Sequence, residues 1–402
     1  MPLARLRLDL EFMPSPDENQ PGLLVRDPMR YSDAVLLIPP PLIPCLAMFD
    51  GETSELDLQH ALFEALGDLR VGEVKDNLIS ALDQSGFLEN EAFAQIREGR
   101  YREFAEETKR WPTHIGPGGY PEDPTELRTA FDGYFHGSRP AADESTQAIA
   151  APHVSPFGGW ESYADAYAAI PASAAEKTFV ILGTSHHGPM DQFGLTRKPF
   201  VTPYGETLPA LDLINELEQR GGPAVAMEDY CHSIEHSIEF QVVFLQHLFG
   251  PQVKVLPILV GSYARSIYQG GMPEDNEEVK RFLDTLGNMA AREGNSLFWT
   301  LGIDMAHMGR RYGDPIQAEA QAGEMLRVEA RDRDRIERVS QKDAAGFWER
   351  VQENRDDLKW CGSAPLYTFL RARPDLSGEL LRYQQWNIDP QSVVSFAAMR
   401  FQ

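Results

Sequence analysis

The feature that most constrains the fold is a regular alternation, from Trp111 onward, of short apolar runs with longer segments of helical periodicity. Buried parallel strands are continuous apolar runs, and each needs a crossover, usually a helix, before the next strand. We therefore expect an α/β domain with a mostly parallel central sheet flanked by helices. The predicted strands cover residues 147–151, 178–182, 253–260, 296–301 and 392–399, and the predicted helices cover residues 124–135, 208–220, 234–249, 276–293 and 316–339.

The chain before this domain has a different character. A helix capped by Ser54 is followed by a second amphipathic segment that stops at Gly86, and a short Phe-Leu strand comes next. This order resembles the small PqqD-like peptide-recognition domains. We assign residues 1–95 to a winged-helix-like α+β accessory domain, residues 96–110 to a connecting helix and residues 111–402 to the α/β domain. The alternative is a helical cap on that domain, and DNA binding is disfavoured because residues 50–91 are strongly acidic.

Charge and cysteine content exclude several classes of partner. The 402 residues include 61 acidic and 37 basic ones, a net charge of −24, whereas nucleic acids and anionic membranes are bound by clustered Lys and Arg. The longest apolar stretch, residues 34–49, is broken by prolines and too short to span a bilayer. Three sparse cysteines favour a reducing compartment over a disulfide framework. We expect a cytoplasmic protein that binds neither nucleic acid nor membrane.

Histidines follow three of the predicted strands. His153 comes just after the strand that ends at residue 151, His186 and His187 follow the next strand, and Asp304 and His307 follow a third. The carboxyl ends of parallel strands meet at one crevice, so we expect these side chains to lie close together. A single histidine is more often a structural hydrogen-bonding residue, but the set indicates a metal or acid–base site.

Cys361 is a further residue of this pattern that can do chemistry. It precedes Gly362 at the start of a predicted helix, a setting that lowers a thiol pKa. Cys45 and Cys231 are interpreted as small buried apolar residues. The charged run at residues 328–339 is interpreted as a solvated helix with ion pairs.

A competing motif lies at residues 232–236. His232, Glu235 and His236 fit the H-x-x-E-H pattern of a class of zinc peptidases, whose two histidines share one face of a helix. The apolar pattern starts the helix near residue 234, which leaves His232 at its frayed end. A zinc peptidase is therefore kept as a minor alternative.

Seven segments, taken in order, resemble the Memo family, including its prokaryotic members called AmmeMemoRadiSam system protein B. They carry a His-Gly…Tyr opening, an APH triplet, a G-T-S-H-H loop, an EHSIE pentapeptide and three further matches. The segments are residues 113–135, 151–153, 181–189, 235–239, 256–261, 304–309 and 361–362. The resemblance covers residues 111–402.

The resemblance implies a fold similar to class III extradiol dioxygenases and a specific set of site residues. It makes His153, His186 and Cys361 the metal ligands. His307 becomes the acid–base histidine, and the resemblance gives Asp304 and Glu235 supporting catalytic roles. The remaining candidates are residues that would line the pocket or contact the ligands: His187, His236, His114 and Trp160. A cysteine where the dioxygenases have a carboxylate favours iron or copper, with zinc as a further option.

Two main functions follow from these observations. The first is a non-haem iron- or copper-dependent oxidoreductase acting on a small molecule or peptide. The alternative is a catalytically inactive pocket that binds a peptide or a partner protein. The family's prokaryotic setting implies an AMME-type protein and a radical SAM enzyme as partners.

Overall fold

The computed structural model describes residues 2–15, 17, 19–67, 70–136 and 142–402. The chain divides into two compact units, Met1–Glu107 and Thr108–Gln402. None of the helices in these described ranges is both long and apolar enough to cross a membrane.

The first unit combines a small antiparallel sheet with three helices. Its elements are β1 (Arg5–Leu6), β2 (Glu11–Pro14), β3 (Leu23–Arg26), β4 (Val35–Ile38), the 3-10 helix Pro40–Met48, α1 (Glu55–Leu66), α2 (Val71–Gln84), β5 (Leu88–Glu89) and α3 (Glu91–Glu106). Strands β2, β3 and β4 form a three-stranded sheet, and β1 pairs antiparallel with β5. The Ser54 side chain caps α1 through the Asp57 amide, as predicted.

This unit contains the two helices, the glycine and the strand that the sequence predicted. Gly86 follows α2 with φ of 68°, and β5 then pairs with β1 near the start of the chain. Residues 96–106 of the predicted connecting helix belong to α3, which lies within the first unit, and residues 108–110 belong to the second unit. The winged-helix-like interpretation of this unit stays a prediction.

The second unit contains the large sheet and nine helices among its described residues. Its helices are α4 (Pro124–Phe135), α5 (Pro156–Ala168), α6 (Leu211–Arg220), α7 (Glu239–Phe249), α8 (Ala264–Gln269), α9 (Glu277–Glu293), α10 (Glu324–Ser340), α11 (Ala344–Gln352) and α12 (Ser363–Ala372). Its strands are β6 (Ala148–Ala151), β7 (Thr178–Thr184), β8 (Phe193–Leu195), β9 (Val201–Thr202), β10 (Gly205–Glu206), β11 (Leu208–Pro209), β12 (Val225–Met227), β13 (Lys254–Val260), β14 (Leu297–Gly302), β15 (His307–Gly309), β16 (Gly378–Asp389) and β17 (Ser392–Phe401).

A parallel block of four strands forms the centre of this sheet. The order is β12-β8-β13-β7-β14-β6-β17-β15, with β11 beside β13 and β16 beside β17. Strands β13, β7, β14 and β6 run parallel, and β17 joins β6 in the antiparallel sense. This confirms the predicted α/β class with a mostly parallel central sheet flanked by helices.

Alternate residues of each central strand enter different cores. In β7, Val180 and Leu182 pack with residues of α6, α9 and α12 on one face, while Phe179 and Ile181 pack with residues of α4, α5 and α7 on the other. This is the two-residue period of a strand buried on both faces. Both faces are therefore covered, and the strand ends remain as the place for a site.

Helix α6 begins at Leu211, three residues after the predicted start, and two other helices begin five or more residues late. Helix α7 starts at Glu239 instead of residue 234 because the Glu235 carboxylate accepts the His236 and Ser237 amides, which replaces the first helical hydrogen bonds. Helix α10 starts at Glu324 instead of residue 316, after Gly323 at φ of 52°. The late start of α7 leaves the first four residues of the EHSIE pentapeptide as an irregular segment over the strand ends.

Candidate metal centre

The carboxyl ends of the parallel strands bring three histidines together. His153 follows β6, His186 follows β7, and His236 comes from the EHSIE segment. Their ring centroids are 4.9 to 5.2 Å apart. One ring nitrogen from each lies within 4.8 Å of the other two, a spacing that can hold a metal ion. The predicted convergence of His153 and His186 is thus present, and His236, predicted as a pocket residue, joins them.

The EHSIE segment reaches the strand ends because β14 finishes in a glycine. A Cβ atom at Gly302 would lie 2.1 Å from the Ser237 carbonyl oxygen, far inside van der Waals contact. The Ser237 side chain also donates to the Thr184 carbonyl at the end of β7 (2.8 Å). The segment is therefore seated directly on the edge of the sheet.

Each of the three imidazoles presents Nδ1 to an oxygen of the protein. Nδ1 of His153 lies 2.9 Å from the Gly302 carbonyl oxygen, and Nδ1 of His186 lies 3.0 Å from the Glu235 carboxylate. Nδ1 of His236 lies 3.2 Å from the same carboxylate. These acceptors favour a proton on Nδ1, so that Nε2 is the nitrogen that each ring offers to a metal ion when it is neutral. Buried partners that fix the tautomer in this way are typical of metal-binding histidines.

Cys361 lies against the same cluster. Its Sγ is 3.2 Å from His153 Nε2 and 3.6 Å from the Asp304 carbonyl oxygen. The Thr184 hydroxyl donates to the Cys361 carbonyl (3.0 Å). A Cβ at Gly362 would lie 2.6 Å from that of Ile303, so only glycine permits this approach. Burial disfavours the thiolate, but the neighbouring His153 and His186 lower the pKa of Cys361 to about 7.

Glu235 faces two of the histidines, but only one of them has a raised pKa. Its buried carboxylate accepts the His186 amide and faces Nδ1 of both His186 and His236. Burial opposes its ionisation, yet His186 holds the pKa of Glu235 well below its usual value. Burial likewise opposes a charged His186, but Glu235 raises the pKa of that ring well above normal. Burial and the surrounding imidazoles keep the pKa of His236 well below normal, despite Glu235.

Asp304 lies on the loop that follows β14, and His307 is the first residue of β15. Asp304 accepts the His153 amide (2.9 Å), and its carboxylate lies 3.4 Å from His153 Nε2. Burial raises the pKa of Asp304 to about 6, although His307 and the amides oppose the shift. His307 has Nδ1 2.9 Å from the Met305 carbonyl oxygen, and its ring meets that of Tyr312 edge-on at 4.9 Å. Burial lowers the pKa of His307 and favours a neutral ring.

His114 is a further histidine beside the cluster. Its ring centroid is 5.1 Å from that of His236, and Nδ1 lies 3.0 Å from the Glu239 carboxylate. Glu239 is fully buried and pairs with the equally buried Arg110 at 2.6 Å. The Tyr120 hydroxyl also donates to it (2.6 Å). The sequence predicted His114 as a pocket residue but did not identify Arg110 or Glu239. The available signal was that Glu239 is the second glutamate of EHSIE.

The other predicted residues lie at the edge of the site or outside it. His187 is exposed, with its ring 6.4 Å from that of His186. Trp160 stacks on Tyr134 at 6.0 Å and is 38% exposed. His232 is buried, and its Nε2 lies 3.0 Å from the Gly194 carbonyl oxygen. The zinc-peptidase interpretation is therefore wrong, because His232 and His236 both precede α7 and do not share a helical face.

Sequence comparison agrees with this geometry. The family model described as Memo-like protein matches residues 110–400, well over half of the chain. The chain belongs to the Memo family. The region matched contains the whole histidine and cysteine cluster, so the cluster is part of the Memo fold, not of the first unit.

Several MEMO1 family proteins are similar to this chain. The protein from Aquifex aeolicus is 27% identical over 382 residues, which cover 94% of this chain and 95% of the relative. The protein from Thermus thermophilus is 29% identical over 79% of this chain and 86% of its own length. The protein from Thermococcus kodakarensis is 28% identical, with 73% of this chain matching 99% of the relative. The second unit alone makes up a similar share of this chain.

The donor atoms of this Memo site fit a transition-metal ion. Imidazole nitrogens suit iron, copper and zinc, and a thiolate adds a soft, charged ligand. The low pKa of Cys361 makes the thiolate available near neutral pH. His153 and Cys361 are held by backbone contacts to adjacent strand ends, so these two donors are fixed before an ion arrives.

Proposed function

We propose that this Memo protein binds a redox-active metal ion, iron or copper, and acts as an oxidoreductase on a small molecule or peptide. His153, His186 and Cys361 would be the ligands. The observation that carries the proposal is that one ring nitrogen from each of three histidines lies within 4.8 Å of the others, with the Cys361 sulfur 3.2 Å from His153 Nε2. Three protein ligands leave positions open, which is the arrangement of catalytic centres more than of structural ones.

His236 is assigned to the open side of this site. Its side chain is 32% exposed, and its ring lies parallel to that of His186 at 5.1 Å. The environment keeps the ring neutral, so Nε2 can accept a hydrogen bond from a substrate or take an alternative ligand position. Cys361 is favoured as the third ligand because a thiolate offsets the charge of the ion.

His307 is proposed to hold and move a proton. Its Nδ1 faces the Met305 and Lys359 carbonyl oxygens, so the proton resides there and Nε2 is the basic atom. The lowered pKa keeps this ring able to accept a proton at neutral pH. When bound, iron or copper would supply one-electron and dioxygen chemistry that these side chains lack.

The test is the metal content of protein purified without chelators. Wild type is compared with the His153→Ala/Cys361→Ser double variant and with His60→Ala, whose histidine lies exposed on α1 of the first unit. We expect near-stoichiometric iron or copper in wild type and His60→Ala, and its loss in the double variant. Zinc in place of both metals would contradict the redox assignment.

Absence of tightly bound metal from wild type, even after reconstitution, would favour the alternative. The pocket would then be a Memo-type binding site for a peptide or partner protein. An AMME-type protein and a radical SAM enzyme are the partners to assay first by direct binding, with the double variant as the comparison.

A further inference from the structure

The backbone just before Cys361 is unusual. Asn354, Arg355, Asp356 and Lys359 all have φ between 52° and 58°. Residues with a Cβ atom rarely adopt this left-handed region because the side chain approaches the backbone carbonyl. Such conformations persist where surrounding contacts impose them, and they concentrate at functional sites. We call residues 354–361 the Cys361 loop.

Two charged residues of α10 hold this loop from inside the protein. Asp332 and Arg335 were predicted on a solvated helix face, but they are 0% and 2% exposed. The Trp360 indole donates to Asp332 (2.6 Å), and Arg335 donates to Asp356 (2.8 Å). The Arg335 guanidinium also lies 5.2 Å from the Trp360 ring centroid. The residue next to the cysteine is thus fixed by a buried carboxylate and a buried cation.

The same carboxylate connects the loop to the sheet. Asp332 accepts hydrogen bonds from Ser395 of β17 (2.6 Å) and Tyr383 of β16 (2.7 Å). Together with the Trp360 indole, these two hydroxyls give the buried Asp332 carboxylate three hydrogen-bond donors. Buried polar networks of this kind rigidify the groups that they join. The network therefore fixes Trp360, and with it the neighbouring Cys361, relative to the central sheet. The same sheet positions His153 and His186.

The loop also touches the proposed acid–base residue. The His307 amide donates to the Leu358 carbonyl (2.9 Å), and Nδ1 of His307 lies 3.1 Å from the Lys359 carbonyl oxygen. Any shift of the loop therefore moves the Cys361 sulfur and the His307 ring together. His153 and His186 depend instead on Gly302 and Glu235.

We propose that Asp332, Arg335 and Trp360 are positioning residues that hold Cys361 against the two histidines in a backbone conformation the loop would otherwise leave. Weakening this network removes the thiolate from the metal site and leaves the two histidine ligands in place. The inference rests on the proposed metal-binding function, and it adds residues that contact neither metal nor substrate.

The experiment follows cobalt(II) binding to the full-length protein by absorption. Cobalt bound to a thiolate gives a near-ultraviolet charge-transfer band that imidazole ligands do not produce. Wild type is compared with Cys361→Ser, with Trp360→Phe, and with Trp348→Phe as matched control. Trp348 is buried and its indole donates to Ser266 (2.8 Å), away from the Cys361 loop. Both tryptophan variants lose one buried indole hydrogen bond.

We expect the band in wild type and Trp348→Phe, and its absence in Cys361→Ser. In Trp360→Phe the band should fall by half or more per bound cobalt, with affinity about 10-fold weaker. An unchanged band and affinity in Trp360→Phe would overturn the inference, whatever the loss of thermal stability. If Trp360→Phe does not fold, Arg335→Lys is measured in its place with the same readout. If the wild-type protein binds cobalt without showing the band, Cys361 is not a ligand. That result would contradict both the ligand assignment in the proposed function and this inference.

Discussion

The Glu235 carboxylate faces Nδ1 of His186 at 3.0 Å and also lies 3.2 Å from Nδ1 of His236. One buried carboxylate therefore orients two rings of the cluster, with the free Nε2 of each as a potential donor. The two rings respond differently, since the pKa of His186 is raised and that of His236 is lowered. His186 gains most from the negative charge, and this difference leads to the first prediction.

Glu235→Gln should weaken metal binding by roughly 10- to 100-fold, because the amide keeps a hydrogen bond to His186 but loses the charge that makes the ring a strong donor. A chelator competition titration measures the change. Glu228→Gln is the matched control, since Glu228 also accepts an amide and pairs with a cation, but in contact with Thr196 and Lys198. Equal affinities in both variants would refute the role given to Glu235.

Cys361 should be the reactive thiol of the metal-free protein. Its pKa is lowered to about 7, whereas burial raises the pKa of Cys45 and of Cys231. The thiolate is the nucleophile, so alkylation of Cys361 should rise through pH 7 and level off above it. Mass spectrometry after timed iodoacetamide treatment identifies the modified residue. A midpoint near the ordinary thiol value of about 8.5 would show that the histidines do not stabilise the thiolate.

Gly302→Ala should displace the EHSIE segment. The new Cβ would lie 2.1 Å from the Ser237 carbonyl oxygen, and forced overpacking of this kind costs about 1–3 kcal/mol. Metal content should fall together with the free energy of unfolding in urea. Gly287→Ala within α9 is the control, because its Cβ would meet ordinary contacts at 3.7 Å. That helical position should gain up to about 1 kcal/mol.

Arg110→Met should destabilise the protein by about 3–5 kcal/mol at pH 7, because it leaves the buried Glu239 carboxylate without its cation. Against the effect of burial, Arg110 and His114 hold the pKa of Glu239 below its usual value. A depressed pKa stabilises the folded state fully above the unfolded-state pKa of about 4.3, and this stabilisation is lost as the pH falls below it. The difference between wild type and variant should therefore narrow below pH 4.

Urea unfolding between pH 3 and 7 checks this expectation. Arg292→Met removes a comparable arginine–glutamate pair, with Glu216, in which the arginine side chain is 48% exposed. Exposed pairs contribute about 0–1 kcal/mol, so this control should change little at any pH. A constant gap between wild type and Arg110→Met across the range would contradict the assigned origin of the stabilisation.

The sequence predicted those parts of the molecule that depend on local pattern. Apolar runs predicted β7 and β13 because central strands are buried on both faces, and the strand ends then placed His153 and His186 at one edge. Contacts between distant segments were not predictable. Arg110 and Glu239 are 129 positions apart, and no periodicity connects them. Asp332 and Arg335 were misread because a buried charge and a solvated one look alike in sequence until the partner is known.

The contact that Nδ1 makes in each imidazole has a wider consequence. In His114, His153, His186, His236 and His307, Nδ1 faces a carboxylate or a main-chain oxygen in every ring. None of these rings can turn over without breaking that contact, so Nε2 stays the nitrogen available to a bound ion or a substrate. If the proposed metal is bound, ligand chemistry alone would favour copper over iron, so a site filled with iron would reflect the metal supply of the cell.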